Sequence, residues 1–392
     1  MNIDQHNRKV GERETSNSLE TGIFWIKRKA NIYQEPRKGH FERFKAKLLI
    51  HQGGERYEHV FLRFFSKILL ILLMLALTFS CGKNKKTKAL DATDLVYDYD
   101  FSGIDLFFKI ADSLLNDIAV DDRTWDALFE TEGYRALKNN DGIRNNIILT
   151  FKPSYGQKLD SLIPVANYWW KRDLNHLIDV KKNLTKLKVY REQLDIQKVL
   201  KNGSAMAKAY IPQELDTIMT LPPIRFVVFS PDARVMGGKI MFDLHFLMQL
   251  DDEAEISKLA GHEFHHYYLG FMEGREKGLD SEHPLYPLYR PIRQLQIEGV
   301  ADLINKKDYI QTAPPDELWY QAYYQSNGKI KFMNDRLEEL AKNEGSLAVY
   351  GQAIFNNFPI NCHPNGFYMG ELIEKELRKP AVVATLKSHS IF

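Results

Sequence analysis

Residues 253–272 read as one long helix carrying His262, Glu263 and His266 within GHEFHHYY, and no other segment constrains the chain as strongly. A helix advances 100° per residue, so Ile256, Leu259, Ala260, Phe264, Tyr267 and Phe271 share one apolar sector. His262 and His266 stand at its border and Glu263 just inside its edge. Such a helix is buried along one side while two imidazoles, four residues apart, reach one metal ion from neighbouring turns. Glu263 is aimed beside that ion, where a carboxylate takes a proton from water that Zn2+ has made acidic. His265 is turned about 80° to 100° away from its neighbours, and it is assigned to hydrogen bonding or solvent. The acids Asp251, Asp252 and Glu253 suit the positive end of the helix.

A hydrolytic zinc site needs a third protein ligand and an open position. Glu298 is the candidate, in RQLQIEGVADLI, a second helical pattern that begins after Pro291 and carries Asp302 one turn further on. An arbitrary Glu/Asp pair of this kind is more often the solvated face of an amphipathic helix. Beside a His-Glu-x-x-His helix, Glu298 reads instead as a ligand, and Asp302 as the carboxylate that receives the second ring N–H of a ligating histidine. Gly299 removes a side chain and lets the two helices approach.

HEFHH followed by EGVAD resembles the gluzincin peptidases, the thermolysin-like clan, and is similar to a family of uncharacterised bacterial lipoproteins described as zinc-dependent peptidases. The resemblance covers about fifty residues strongly. It implies His262, His266 and Glu298 as zinc ligands, Glu263 as general base and Asp302 as the orienting carboxylate. The 31 residues between His266 and Glu298 are more than thermolysin-like enzymes have, so EHPLYPLYRP reads as an insertion. The resemblance also implies an antiparallel edge strand ahead of the metal helix, pairing with extended substrate, a place that Lys239–Leu244 occupies. An ordinary internal strand would have the same composition.

Around this site the pattern is α+β. Helix follows helix from Phe101, through WDALFETEGYRAL, to a run over Leu174–Leu200 that Asn202-Gly203 should stop. After Leu221-Pro222-Pro223 come a strand at Ile224–Phe229, turn residues in SPDARVMGG and a strand at Lys239–Leu244. The reading is a helical region over 95–220 and a zincin-like catalytic domain over 221–392, with a small sheet and active-site helices. Further on, His363 and Pro364 open a helix whose Gly366 and Gly370 make a face for close packing. Tyr368 or His363 on it is a candidate donor to the oxyanion, with a packing tyrosine and a capping histidine as the plainer roles.

The 53 basic and 51 acidic residues give no reason to expect a nucleic-acid partner. The basic excess is local: residues 1–80 carry 14 Lys/Arg against 8 Asp/Glu. Residues 60–80 have the basic start and short apolar run of a secretory signal, ending at Cys81. Cys81 is therefore expected to be lipidated, with a polar tether over 81–94 and the protein held at a bacterial cell envelope. A plain signal peptide with an incidental cysteine is the alternative. Residues 1–59 are expected to be an untranslated leader, since signal peptides do not sit behind long polar segments. Cys362 reads as a structural thiol. The function expected is a zinc-dependent peptidase acting on peptide or protein substrates. Its rivals are a binding lipoprotein with a non-catalytic zinc site and a metal-dependent amidase acting on cell-wall or other non-peptide amides.

Overall fold

The computed structural model describes residues 96–215, 219–250, 252–273, 283, 286–341 and 362–387. The leader, the signal segment, Cys81 and the tether lie outside these residues. Residues 90–392 form one compact unit. Among the described residues no helix is long and apolar enough to cross a membrane.

The short strand β1 (Tyr99–Asp100) leads into eight helices: α1 (Ser102–Leu115), α2 (Asp122–Glu130), α3 (Glu132–Leu137), α4 (Asn140–Phe151), α5 (Gly156–Leu162), α6 (Tyr168–Lys182), α7 (Leu184–Gln193) and α8 (Ile196–Lys208). Asp121 starts α2 by accepting the Thr124 N–H at 2.8 Å. The run expected over Leu174–Leu200 is divided among α6, α7 and α8, with breaks at Asn183 and Leu194. Asn202-Gly203 does not stop a helix; α8 runs through it to Lys208.

Three strands follow, β2 (Ile224–Val227), β3 (Ala233–Met236) and β4 (Lys239–Asp243). The sheet order is β1-β2-β4-β3, with β1, β2 and β4 parallel and β3 antiparallel to β4. Lys239–Leu244 is thus not an edge: β4 pairs with β2 on one side and β3 on the other. The edges are β1 and β3, and β3 is built from residues that the sequence presents as a turn. Every residue of β2 is buried. The layer of helices is joined to it directly, since the buried Tyr134 hydroxyl of α3 donates to Val228 O at 3.0 Å and accepts from Val228 N at 3.1 Å.

The chain continues through α9 (Leu244–Leu250), α10 (Glu253–Glu273), α11 (Tyr286–Asn305), α12 (Lys307–Thr312), α13 (Leu318–Tyr324), α14 (Ser326–Ala341), α15 (His363–Leu377) and α16 (Lys379–Lys387). Helix α10 is the expected metal helix, and it buries Ile256, Ala260, Phe264 and Tyr268 in the main core. Helix α11 begins before Pro291 and contains it, the part of EHPLYPLYRP from Tyr286 onward being helical. A proline there costs one helical hydrogen bond without ending the helix.

Close approach of backbones fixes these helices. A Cβ on Gly203 of α8 would lie 2.8 Å from Ala260 Cβ and 2.9 Å from Gly261 N of α10. Gly299 does not face α10 as expected. It faces α15, where a Cβ on Gly299 would fall 2.2 Å from Gly366 C and one on Gly366 would fall 2.2 Å from Leu295 O. Neither backbone can yield by that much, so Gly366→Ala should destabilise the protein by about 3 kcal/mol, the upper end of the range for overpacking. Gly328→Ala in α14, where an added Cβ meets nothing within 4 Å, should raise the melting temperature slightly through helix propensity. Thermal denaturation of both variants checks this pair; equal effects would refute the close-packing account.

Candidate metal centre

Helices α10 and α11 pack side by side and bring the candidate ligands together. His262 and His266, one turn apart, have their Nε2 atoms 2.9 Å from each other. Glu298 Oε2 approaches from α11, 3.2 Å from His266 Nε2 and 3.8 Å from His262 Nε2. One donor atom from each of the three lies within 4.8 Å of the others. Two imidazole lone pairs aimed at one point repel each other unless a proton or a cation stands between them. Two nitrogens and a carboxylate oxygen are a donor set that suits zinc. On this chemistry the residues fit the ion that the motif implies.

The electrostatics follow from burial. Desolvation, then the neighbouring His266, lowers the His262 pKa to about 4 and keeps the ring neutral, the form that binds a metal. Burial also disfavours charge on His266 and on Glu298, but their mutual contact outweighs it: the His266 pKa is raised and the Glu298 carboxyl is held far below the usual carboxylate range. The Gln294 side-chain amide, one turn back on α11, donates to the other Glu298 oxygen. That partner was legible as an i−4 position but was not singled out.

Asp302 lies between two imidazoles. Its Oδ1 is 3.5 Å from His262 Nδ1, while its Oδ2 accepts from His363 Nδ1 at 2.9 Å, so the tighter contact is with His363. Asn305 Oδ1 is 3.3 Å from His262 Nδ1, a further partner that sequence reasoning missed although it lies seven residues from Glu298 on the same face. His363 Nε2 is 3.6 Å from Glu298 Oε2. Burial opposes its charge, yet Asp302 and then Glu298 raise its pKa to about 9, so it carries a proton at neutral pH. Tyr368, five residues and some 140° further round α15, does not reach the cavity; its ring packs 5.8 Å from Tyr323. Cys362 is buried, and burial followed by the charges of Glu298 and Asp302 pushes its thiol far up, which suits an inert structural role.

Glu263 is 4% exposed, and its Oε2 has no hydrogen-bond partner among the described residues. Desolvation raises its pKa to about 7, with His266 opposing and Asp232 and Glu298 adding to the rise. A cavity of about 990 Å³ opens onto it, lined also by His262, His266, Glu298 and His363, with Trp169, Arg172 and Arg234 contributed from α6 and β3. Arg172 is held over the Trp169 ring at 4.7 Å and donates to Ser230 Oγ at 2.6 Å. His265 is neither solvated nor hydrogen-bonded: it is fully buried, and neither ring nitrogen has a partner among the described residues. Its place on the wheel points it inward between packed helices rather than outward.

Two predictions follow from this geometry. Glu298→Ala should lose zinc while keeping its fold, as read by elemental analysis and circular dichroism; unchanged zinc content would defeat the ligand assignment. The second concerns Glu263 in the metal-free protein. Its carboxyl ionises near 4.5 when unfolded and near 7 when folded, so the folded state holds an extra proton between these values. Stability therefore falls as pH rises from about 4.5 to 7, by about 3 kcal/mol, and stays lower above. Metal-free Glu263→Gln should melt a few degrees above metal-free wild type at pH 8 and match it at pH 4; equal melting at both would contradict the burial argument.

Comparison with known proteins agrees with the chemistry of the site. A family model described as "Putative zinc dependent peptidase (DUF5700)" matches residues 125–392, taking in most of the helical layer as well as α10 and α11. No curated protein and no solved structure matches the chain. The match spans well over half of the sequence, and the protein belongs to the family of that description.

Proposed function

We propose that the protein is a zinc metallopeptidase of the gluzincin type, hydrolysing peptide bonds with Glu263 as general base. The observation that carries this reading is the convergence of His262, His266 and Glu298 beside a buried, unpaired Glu263 oxygen at the wall of an open cavity. A zinc ion bound there supplies Lewis-acid polarisation of the scissile carbonyl and acidifies water. Glu263, whose Oε2 has no hydrogen-bond partner among the described residues, takes the proton of that water. It then hands that proton to the leaving amine. His363, held by Asp302 through its Nδ1 at 2.9 Å, replaces Tyr368 as the donor for the developing oxyanion.

Substrate binding is assigned to β3. Of the two edge strands, β1 and β3, it is the one whose residues line the cavity, through Ala233, Arg234 and Val235. An extended peptide adding to that edge would be held by backbone hydrogen bonds and so with little demand on its sequence. The same reading keeps Cys81 as a lipid anchor that tethers the enzyme to a bacterial envelope membrane, with peptides or proteins there as substrates.

The test is cleavage of a mixed peptide library by zinc-loaded wild type and Glu263→Gln. The variant should keep its zinc and lose activity by about 10²-fold or more. Equal cleavage by both would defeat the assignment of the base. No cleavage by either with zinc bound would favour a binding lipoprotein, and cleavage of cell-wall amides without peptides would favour an amidase.

A further inference from the structure

A second set of converging donors lies outside the cavity lining. His176 is in α6, Asp243 ends β4 and His245 opens α9, and one donor atom from each lies within 4.8 Å of the other two. All three residues are buried, Asp243 and His245 completely. Asp243 has its needs met: Oδ2 accepts from Phe229 N at 2.7 Å and Ser230 N at 3.3 Å and lies 3.0 Å from His176 Nε2, while Oδ1 accepts from Phe246 N at 2.9 Å. His245 does not. Neither of its ring nitrogens has a hydrogen-bond partner among the described residues, and Asp179 Oδ2, 3.3 Å from Nε2, stands outside hydrogen-bonding geometry.

A buried polar atom left unpaired costs about 1–3 kcal/mol. His245 carries two such atoms beside a carboxylate and a second imidazole, whose ring centroid is 5.1 Å from its own. We propose that His176, Asp243 and His245 bind a second zinc ion, with Asp179 as the fourth donor, in a structural site separate from His262, His266 and Glu298. Two imidazoles with carboxylates select a first-row ion such as zinc over calcium or magnesium, which prefer oxygen throughout. The donors of a tetrahedral zinc at about 2.1 Å stand about 3.4 Å apart; the three buried donors lie within 4.8 Å of one another, and Asp179 Oδ2, which also accepts from Gln249 Nε2 at 2.9 Å, reaches the set through His245. The three backbone N–H groups on Asp243 hold its carboxylate in place, the support that metal ligands ordinarily have. Asp179, with its side chain 42% exposed, provides the entry path.

The consequence is mechanical. His176 and Asp179 lie three residues apart on one face of α6, while Asp243 and His245 flank the β4–α9 junction. An ion between them bolts the helical layer to the sheet. It also stiffens the cavity wall, because Asp243 holds the Phe229–Ser230 backbone and Ser230 Oγ bonds both Asp173 and Arg172.

Elemental analysis after equilibration with Zn2+ and removal of free ion tests this without reference to peptide cleavage. Wild type should hold two zinc ions per chain, His262→Ala/Glu298→Ala one, and that variant with His245→Gln none. X-ray absorption of the ion left in His262→Ala/Glu298→Ala should report nitrogen and oxygen neighbours only, which keeps the question answerable if His245→Gln fails to fold. No zinc in His262→Ala/Glu298→Ala, or zinc undiminished by His245→Gln, would overturn the proposal.

Discussion

The 3.2 Å approach of Glu298 to His266 depends on how closely four helices pack. A residue larger than glycine at 203, 261, 299 or 366 would push apart α8 and α10, α10 and α11, or α11 and α15, because at each an added Cβ meets a neighbour at 2.9 Å or less. Displacements of that order are large against the tolerance of a metal site, where ligand distances are fixed to within about 0.2 Å. The apolar core under α10 provides the cohesion and the glycines provide the distance. Gly261 illustrates the coupling, since it directly precedes His262 and also faces Ile304 of α11.

Within that packing, burial acts on several acids and bases at once with opposite results. His262 and Glu263 have no close opposite charge that outweighs desolvation, so both drift toward neutrality. Glu298 and Asp302 each have an imidazole in contact, and there the pairing prevails over burial, leaving His266 and His363 with raised pKa values. In the metal-free protein the same low-dielectric pocket therefore raises the pKa of one carboxyl, Glu263, and of one imidazole, His363. Divergent environments around adjacent titratable groups are what acid–base catalysis needs.

The helical spacing of His262, Glu263, His266, Glu298, Asp302, Gly366 and Gly370 made their shared faces legible, because a helix converts sequence intervals directly into angles. The partners of those faces were not. Gly299 could be read as a contact residue, but only the tertiary arrangement assigns it to α15 instead of α10. Strand β3 was hidden for a different reason: two glycines at positive φ, Gly237 and Gly238, form a tight turn, and the short strand before it has turn-like residues on both sides. That concealed the antiparallel pair and made β4 look like the edge. His176 and His245, 69 residues apart with no motif between them, carry no local signal at all; only the path of α6 past the end of β4 brings them together.

The correction at the sheet edge changes what the helical layer can do. With β3 at one edge of the sheet, the cavity beside it is lined by Arg234 and by Trp169 and Arg172 of α6. Arg172 is tethered to Ser230, and Ser230 to Asp243 through its backbone, so the position of α6 relative to the edge strand is set by polar contacts that continue into the His176–His245 cluster. Apolar packing alone tolerates sliding between layers, whereas directional contacts fix register. The helical layer thus lines the same cavity as the candidate ligands, and the family match likewise begins at Trp125 and not at the sheet.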